Sequence, residues 1–238
     1  MSEWKAKRFW KEAAVVAGED GFAIELDGRA VKTPAKAALI APTQAMAAAI
    51  AAEWQAQEDM IDPMSMPMTR TANAAIDKVA IQHAEVAEML AAYGDSDLLC
   101  YRAEAPAELV DRQAVAWDPL LDWAADALNA RLETRQGIMH KAQDPIALQR
   151  LSDQTAALNN YELAAFHDLV SLSGSLIIGF AATRDAWPIE TLWDTSRLDE
   201  VYQIEQWGRD DEAEATAAIK KESFLHAKRV FDLVQQVG

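Results

Sequence analysis

The hydrophobic periodicity of the chain changes near Pro42, and this change limits the folds that are open to it. Before that point, large apolar residues occupy every second position, most clearly between Phe22 and Leu26, as in a half-buried strand. After it, they recur every four residues, starting with Met46, Ile50 and Trp54, as on one face of a helix. The sequence therefore predicts an α+β protein, with a small N-terminal antiparallel β-sheet domain followed by a larger all-α helical bundle domain.

The strands of the predicted sheet are separated by turn residues. Asp27-Gly28 supplies the positive φ angles that a tight hairpin needs. The expected strands are Phe9–Val16, Phe22–Leu26, Arg29–Thr33 and Ala38–Ile40. We place the boundary between the two domains so that residues 1–80 form the N-terminal domain and residues 81–238 the helical one.

The start and end of each predicted helix are marked by capping residues and prolines. Thr43 is an N-cap, Asp118-Pro119 and Asp144-Pro145 each place an acid before a proline at a first helical position, and Gly208 ends a short helix. The expected helices include Thr69–Val79, His83–Tyr93, Ala107–Trp117, a helix over 119–131, one buried helix over Leu169–Thr183, and a last helix from about Asp211 to Val237.

The charge of the chain argues against two classes of partner. Thirty-eight acidic residues and twenty-two basic ones give the chain a net charge of −16. Residues 1–41 have a net charge of +1, so the rest of the chain has a net charge of −17. Such a chain repels phosphate backbones and anionic lipid, so we expect no nucleic-acid partner. Leu169–Thr183, the longest uncharged run, is shorter than the ~20 residues of a bilayer span, so we expect no membrane insertion.

The residue patterns of several enzyme classes are missing from the sequence. It contains neither a phosphate-binding glycine loop nor a dinucleotide fingerprint, and its four histidines are scattered singly. We therefore expect no cofactor, no metal and no catalytic residue. The single cysteine, Cys100, has apolar neighbours and is interpreted as a packed structural residue rather than a nucleophile. The basic N-terminus lacks an apolar segment behind it, so we expect no secretory signal and a cytoplasmic location.

The short helix that ends at Gly208 carries an unusual mixture of side chains. Glu200, Gln203 and Trp207 share one helical face, and Glu205 continues the neighbouring one. A solvated face with the tryptophan turned inward explains this pattern. A recognition surface explains it as well, because tryptophan supplies buried area and an acid supplies orientation.

A second candidate segment lies near the end of the first predicted helix. Glu53 and Trp54 are followed by three methionines, Met64, Met66 and Met68, around Pro67. Methionines fill cores and also form adaptable binding surfaces, and the sequence leaves both interpretations open.

Seven short motifs, taken in order, resemble one known family: the assembly chaperones of the α subunit of the ATP synthase catalytic head, the F(1) sector. They are Lys7-Arg8-Phe9-Trp10, Leu26–Arg29 with Val31–Pro34, Ala52–Gln57, Met66–Thr69 with Ala72-Asn73 and Ile76-Asp77, Asp97–Arg102, Trp117–Pro119, and Gln203 with Trp207-Gly208. The resemblance covers nearly the whole length and is weakest from about Arg131 to Phe180.

The resemblance implies a binding protein and not an enzyme. Members of this family look like chaperones that bind the unassembled α subunit without ATP, prevent its aggregation and yield it to the β subunit. The family's important acid matches Glu200, and the expected partner-binding residues are Glu200, Gln203, Glu205, Trp207, Glu53, Trp54 and Arg102. We expect a monomer in the bacterial cytoplasm, whereas eukaryotic relatives belong to the mitochondrial matrix. The alternative is a hydrolase that uses a carboxylate pair in the helical domain.

Overall fold

The computed structural model describes residues 7–137 and 139–236 of the chain. The basic N-terminal residues 1–6 and the predicted helix end at Val237 lie outside the described residues. The chain forms two compact units, one of which consists of the chain up to His83, Asn159–Ala165 and the chain from Arg229. The other consists of Ala84–Leu158 and Phe166–Lys228. The predicted domain boundary at residue 80, which assigns all later segments to the helical domain, stays a prediction.

The first unit contains the antiparallel sheet that the alternating pattern predicts. Its strands are β1 (Ala13–Gly18), β2 (Gly21–Leu26), β3 (Arg29–Ala30) and β4 (Ile40–Ala41), and β2 pairs with the other three. Asp27 and Gly28 have φ angles of 48° and 76°, which confirms the predicted hairpin turn. Together with the helices that follow, this sheet confirms the α+β fold class.

The first strand begins later than the predicted start at Phe9. Arg8 donates its backbone N–H to the carbonyl of Asp59 instead, at 3.0 Å, and Lys7 forms an isolated antiparallel bridge with Met60. The segment before Ala13 is therefore engaged with another part of the chain, and its apolar residues do not continue the strand.

Helix α1 (Gln44–Gln55) packs against β1 and β2 and closes the core of the first unit. Its N-cap is Thr43, as predicted, and the Thr43 side chain accepts a hydrogen bond from the backbone N–H of Met46 at 3.2 Å. Met46 and Ile50 are fully buried, because their spacing places both on the face that meets the sheet.

Helix α2 (Pro67–Ala74) decides between the two interpretations of the methionine cluster. Met66 and Met68 are buried in the core, whereas Met64 is 74% exposed. A π-helical turn, Ala75–Val79, continues α2 to the end that the sequence predicts. Two of the three methionines therefore fill the core, and one lies on the surface.

The remaining helices follow α1 and α2 along the chain, and α6 and α10 each contribute residues to both units. They are α3 (His83–Ala91), α4 (Ala107–Ala127), α5 (Pro145–Ala156), α6 (Asn160–Ser173), α7 (Leu176–Thr183), α8 (Ile189–Ser196), α9 (Leu198–Trp207) and α10 (Asp211–Gln235). Two two-residue strands of the second unit, β5 (Tyr101–Arg102) and β6 (Arg135–Gln136), pair in parallel. Among the described residues, none of the helices combines the length and apolar character that a bilayer span requires.

The prediction that a new helix begins at Pro119 is wrong. Helix α4 continues through Pro119, which lies on the exposed side of the helix. Proline cannot donate to the carbonyl four residues earlier, and here that carbonyl belongs to Val115, which is 79% exposed. Asp118 does not cap a helix but forms an ion pair with Arg102. The missing bond thus faces solvent, where its cost is smallest.

The prediction that the whole run Leu169–Thr183 forms one helix is wrong, although its second part, α7, is a buried helix. Helix α6 ends at Ser173, Gly174 adopts a φ of 74°, and Ser175 caps α7 by accepting the N–H of Ile178 at 3.0 Å. The buried carboxylate of Asp97 accepts a further N–H at the start of α7, from Ile177 at 3.1 Å. Burial raises the pKa of Asp97 to about 6.

Candidate partner-binding site

Helix α9 has half of its ten residues exposed to solvent. Tyr202 is its buried residue, whereas Gln203 and Glu205 are exposed and Trp207 is 80% exposed. Gly208 ends the helix with a φ of 94°, as the sequence predicts. Trp207 is therefore not turned inward, and the solvated-face interpretation does not describe its position.

Helix α4 holds α9 in place through two polar contacts. The side-chain amide of Gln113 donates to Asp199 at 2.7 Å, and the Arg112 guanidinium forms an ion pair with Glu205 at 2.6 Å. The same guanidinium lies 5.4 Å from the centre of the Tyr202 ring. Because Gln113 is buried, the Asp199 contact fixes α9 more firmly than an exposed ion pair alone can.

Glu200, the residue that the family resemblance singles out, is half-buried on the first turn of α9. Its carboxylate lies 2.7 Å from the guanidinium of Arg197, which in turn lies 5.7 Å from the centre of the Trp193 ring. The acid is therefore held in one orientation while close to half of its side chain stays accessible.

Beside α9 the surface opens into a cavity of about 760 Å³. Its walls come from the segment 101–106, the start of α4, Gly137 and one side of α9. Three of the predicted site residues, Arg102, Gln203 and Trp207, line this cavity together. This volume falls within the range of roughly 300–1,000 Å³ that binding clefts span.

Arg102 is largely occupied by contacts within its own unit. Its Nε donates to the carbonyl of Leu99 at 2.8 Å, one terminal nitrogen lies 2.7 Å from the Asp118 carboxylate, and its guanidinium faces the Trp117 ring at 5.4 Å. Only 10% of the side chain is exposed. These contacts make Arg102 a supporting element of the cavity wall, and its direct contact with a partner stays a prediction.

Glu53 and Trp54 lie in the first unit, and both side chains make contacts within that unit. The Glu53 carboxylate accepts the backbone N–H groups of Met68 and Thr69 at 2.6 and 2.8 Å, and also the Thr69 hydroxyl at 2.7 Å. Trp54 packs edge-on against the buried Trp10, with 5.3 Å between ring centres. Their predicted contact with a partner stays untested, while their contribution to the fold is direct.

Replacing Glu53 with alanine is expected to lower the free energy of unfolding by about 2 kcal/mol. The change removes a charged acceptor from the first free N–H groups of α2, and Pro67 at the start of that helix offers no donor of its own. Urea unfolding followed by circular dichroism measures the loss. Glu88→Gln, on the exposed surface of α3, serves as the control, and a Glu53→Ala protein as stable as the parent contradicts this capping role.

Several residues of the cavity were not predicted from the sequence. Asp199 and Gln206 lie four residues before and three after Gln203, so helical spacing alone could have placed them on the same face of α9. Glu104 belongs to a loop and reaches the cavity only through the tertiary fold. No local pattern indicates its position.

Two further expectations concern metals and the single cysteine. Within residues 7–137 and 139–236, no group of three or more potential ligand side chains is arranged to hold a metal ion. Cys100 is fully buried, which confirms the structural interpretation, and burial raises the pKa of its thiol to about 12. Such a thiol is a poor nucleophile at neutral pH.

The fold is α+β with an exposed surface on α9, and comparison with known proteins identifies the family of the chain. The family model described as the ATP12 chaperone protein matches residues 7–125, which is half of the chain. The chain therefore belongs to the ATP12 chaperone family, the ATP synthase assembly chaperone family that its motifs resemble.

Individual relatives agree with this assignment. The mitochondrial protein atp12 of Schizosaccharomyces pombe is 28% identical over 220 residues, which cover 87% of this chain and 75% of that protein. The crystal structure of Atp12 from Paracoccus denitrificans shares 48% identity and a TM-score of 0.95, covering 98% of this chain and all of that one. The Atu1473 protein of Agrobacterium tumefaciens shares 38% identity and a TM-score of 0.92, covering 96% of this chain and 86% of that one.

Proposed function

We propose that this protein binds the unassembled α subunit of the ATP synthase catalytic head, prevents its aggregation without using ATP, and yields it for assembly with β. The proposed contact surface lies on α9 and consists of the half-buried Glu200 together with the exposed Gln203, Glu205 and Trp207. Two solved relatives come from bacteria, and we place this activity in the bacterial cytoplasm, with the protein acting as a monomer.

The exposure of Trp207 is the observation that carries the proposal. Large aromatic side chains on soluble proteins are normally covered, and tryptophan is the residue type most enriched among binding hot spots. Here a tryptophan with 80% exposure lies at the edge of a cavity, on a helix whose orientation is fixed by Gln113 and Arg112. A rigid helix that presents an uncovered tryptophan is suited to an interface rather than to solvent.

The proposed mechanism is reversible masking. A subunit surface that is buried in the assembled enzyme is a large apolar patch before assembly, and such patches aggregate. A chaperone covers the patch, and its affinity must stay below that of the final partner so that exchange proceeds by mass action. A mixed surface of acids, amides and one tryptophan provides this moderate affinity.

The direct test combines the purified protein with α subunit that is diluted from denaturant, in the absence of nucleotide. Light scattering by α is expected to fall in proportion to the added protein until the two are equimolar, and adding the β subunit is expected to release the chaperone. If α aggregates at the same rate with and without the protein, the proposed function is wrong.

We propose that Glu200 meets basic groups of α. Replacing Glu200 with lysine is therefore expected to weaken the binding of α by about tenfold or more, because the lysine would meet like charges at the interface. The new ammonium also lies beside Arg197, the present partner of Glu200. Titration of labelled α measures the change.

The matched control is Glu200→Gln, which removes the charge without introducing the opposite one. It is expected to give a smaller loss, and neither variant should change the free energy of unfolding by more than about 1 kcal/mol, because the Arg197 pair lies at the surface. Equal binding by the lysine variant and the parent excludes Glu200 from the contact.

The hydrolase alternative receives less support. Catalytic carboxylates are expected in a cleft with strongly perturbed pKa values. Asp97, whose pKa is raised by burial, lies fully inside the second unit and accepts backbone N–H groups from Leu99 and Ile177. Its role is to cap helices, and membership of a chaperone family favours binding over catalysis.

A further inference from the structure

The cavity beside α9 has an apolar interior. Tyr101, Leu109 and Tyr202 contribute ring and aliphatic surface to its walls, and Trp207 borders it. Gln203 and Gln206 are exposed along the α9 side and offer amide groups that can donate and accept. This arrangement, with apolar walls and a few polar groups, is the usual one for a site that receives a side chain of a partner.

The charge of the cavity is unbalanced. Arg102 is the one basic side chain among its described lining residues, and the Asp118 carboxylate already neutralises it at 2.7 Å. The acids Glu104 and Asp199 also line the cavity. Within the part of the chain that the structure describes, neither forms an ion pair, and Asp199 accepts only the neutral amide of Gln113. The wall thus carries two uncompensated negative charges.

Glu104 lies close to Gly137, which is the other loop residue at this wall of the cavity. A Cβ placed on Gly137 would lie 3.0 Å from its Oε1 atom, so the carboxylate rests directly against that glycine. Gly137 has a φ of 74° and donates its N–H to the carbonyl of Arg102 at 3.0 Å. The exposed carboxylate of Glu104 therefore lies at the wall of the cavity, next to Gly137.

We infer that this cavity receives a segment of the client in which a large apolar side chain stands next to a lysine or arginine. The apolar side chain enters between Leu109 and Tyr202, and the cation meets Glu104 and Asp199. The inference rests on the proposed function for the identity of the client, but the chemistry of the occupant follows from the apolar walls and the unbalanced charge alone.

The first test uses three short peptides as probes and nuclear magnetic resonance of the whole protein. Acetyl-Lys-Phe-Lys-amide is expected to bind with shifts at the cavity residues. Acetyl-Glu-Phe-Glu-amide and acetyl-Lys-Ala-Lys-amide, which lack the cations and the aromatic ring respectively, are expected to bind about tenfold more weakly. Equal binding of all three peptides, or shifts confined to other surfaces, overturns the inference.

The second test removes the two charges without changing side-chain shape. Glu104→Gln with Asp199→Asn is expected to weaken both the Lys-Phe-Lys peptide and the α subunit by about tenfold at low salt, and to flatten the dependence of affinity on salt. Glu88→Gln with Asp126→Asn removes two exposed acids outside the cavity and serves as the matched control.

The outcomes separate this inference from the proposed function. If α binds the parent and the Glu104 and Asp199 double variant equally, the inference is wrong while the proposed function stands. If α fails to bind the parent but the Lys-Phe-Lys peptide binds and responds to the double variant, the cavity chemistry stands while the proposed function is wrong.

Discussion

Truncating Trp117 to alanine is expected to lower the free energy of unfolding by about 4 kcal/mol, the largest stability effect we expect of a single change in this protein. The side chain is fully buried in α4, and its indole N–H donates to the carbonyl of Thr195 at 3.0 Å. The Arg102 guanidinium covers the ring. Truncation therefore leaves a cavity, an unpaired carbonyl and a cation without its aromatic neighbour.

The same change is expected to impair partner binding. Thr195 lies near the end of α8, directly before α9, so the Trp117 bond helps to position the helix that carries Glu200 and Trp207. Urea unfolding and titration of α measure the two effects.

Trp117→Phe is the matched control. It keeps most of the ring volume and loses only the bond to Thr195, so a loss of about 1–2 kcal/mol is expected. If the alanine variant loses less than about 1 kcal/mol, Trp117 does not support the packing of α4 in the way described.

Truncating Trp207 to alanine is expected to weaken binding with almost no loss of stability, unlike the Trp117 variant, which is expected to lose both. Exposed aromatic residues at the centre of an interface typically contribute about 2 kcal/mol or more, which corresponds to a roughly thirtyfold weaker complex with α. Because Trp207 is 80% exposed and lies in the last turn of α9, its removal leaves the core unchanged. Interferometry with immobilised α measures the affinity.

Phe9 provides the matched control for this experiment. It is another exposed aromatic residue, with 65% exposure, and it belongs to the first unit. Phe9→Ala is expected to leave the affinity for α within about twofold of the parent. If the Phe9 and Trp207 variants lose affinity equally, the effect reflects general surface hydrophobicity and not a specific contact at α9.

The elements that the sequence predicted well are those whose signals are local. The hairpin at Asp27-Gly28 and the end of α9 at Gly208 depend on positive φ angles that few residue types adopt easily, and the Thr43 cap depends on a side-chain oxygen that accepts a nearby backbone N–H. The hydrophobic periodicity is also a local signal. Side chains return to the same face every two residues in a strand and about every 3.6 residues in a helix, and this spacing does not depend on what the face packs against. For these reasons the α+β class was predictable before any contact was known.

The errors arose where a local signal competed with packing. Asp118-Pro119 has the composition of a helix start, but α4 continues through it. The reason is that Pro119 faces solvent and Asp118 forms an ion pair with Arg102 instead of capping a helix. Conversely, the long apolar run that reads as one helix is divided at Gly174, where Ser175 and the buried Asp97 together cap a new helix. The partner in each case is distant in sequence.

By itself, the sequence determined the fold class, the family and the helix on which the candidate contact residues lie, because each depends on short-range spacing or ordered motifs. Only the tertiary structure decided which of those residues are free to bind. In the structure, Glu53 caps a helix and Arg102 forms part of a cavity wall. Trp207 is exposed at the edge of that cavity, and Glu104 lines the same cavity from a loop that is distant in sequence. Exposure and charge balance belong to the three-dimensional neighbourhood of a residue, and no local pattern encodes that neighbourhood.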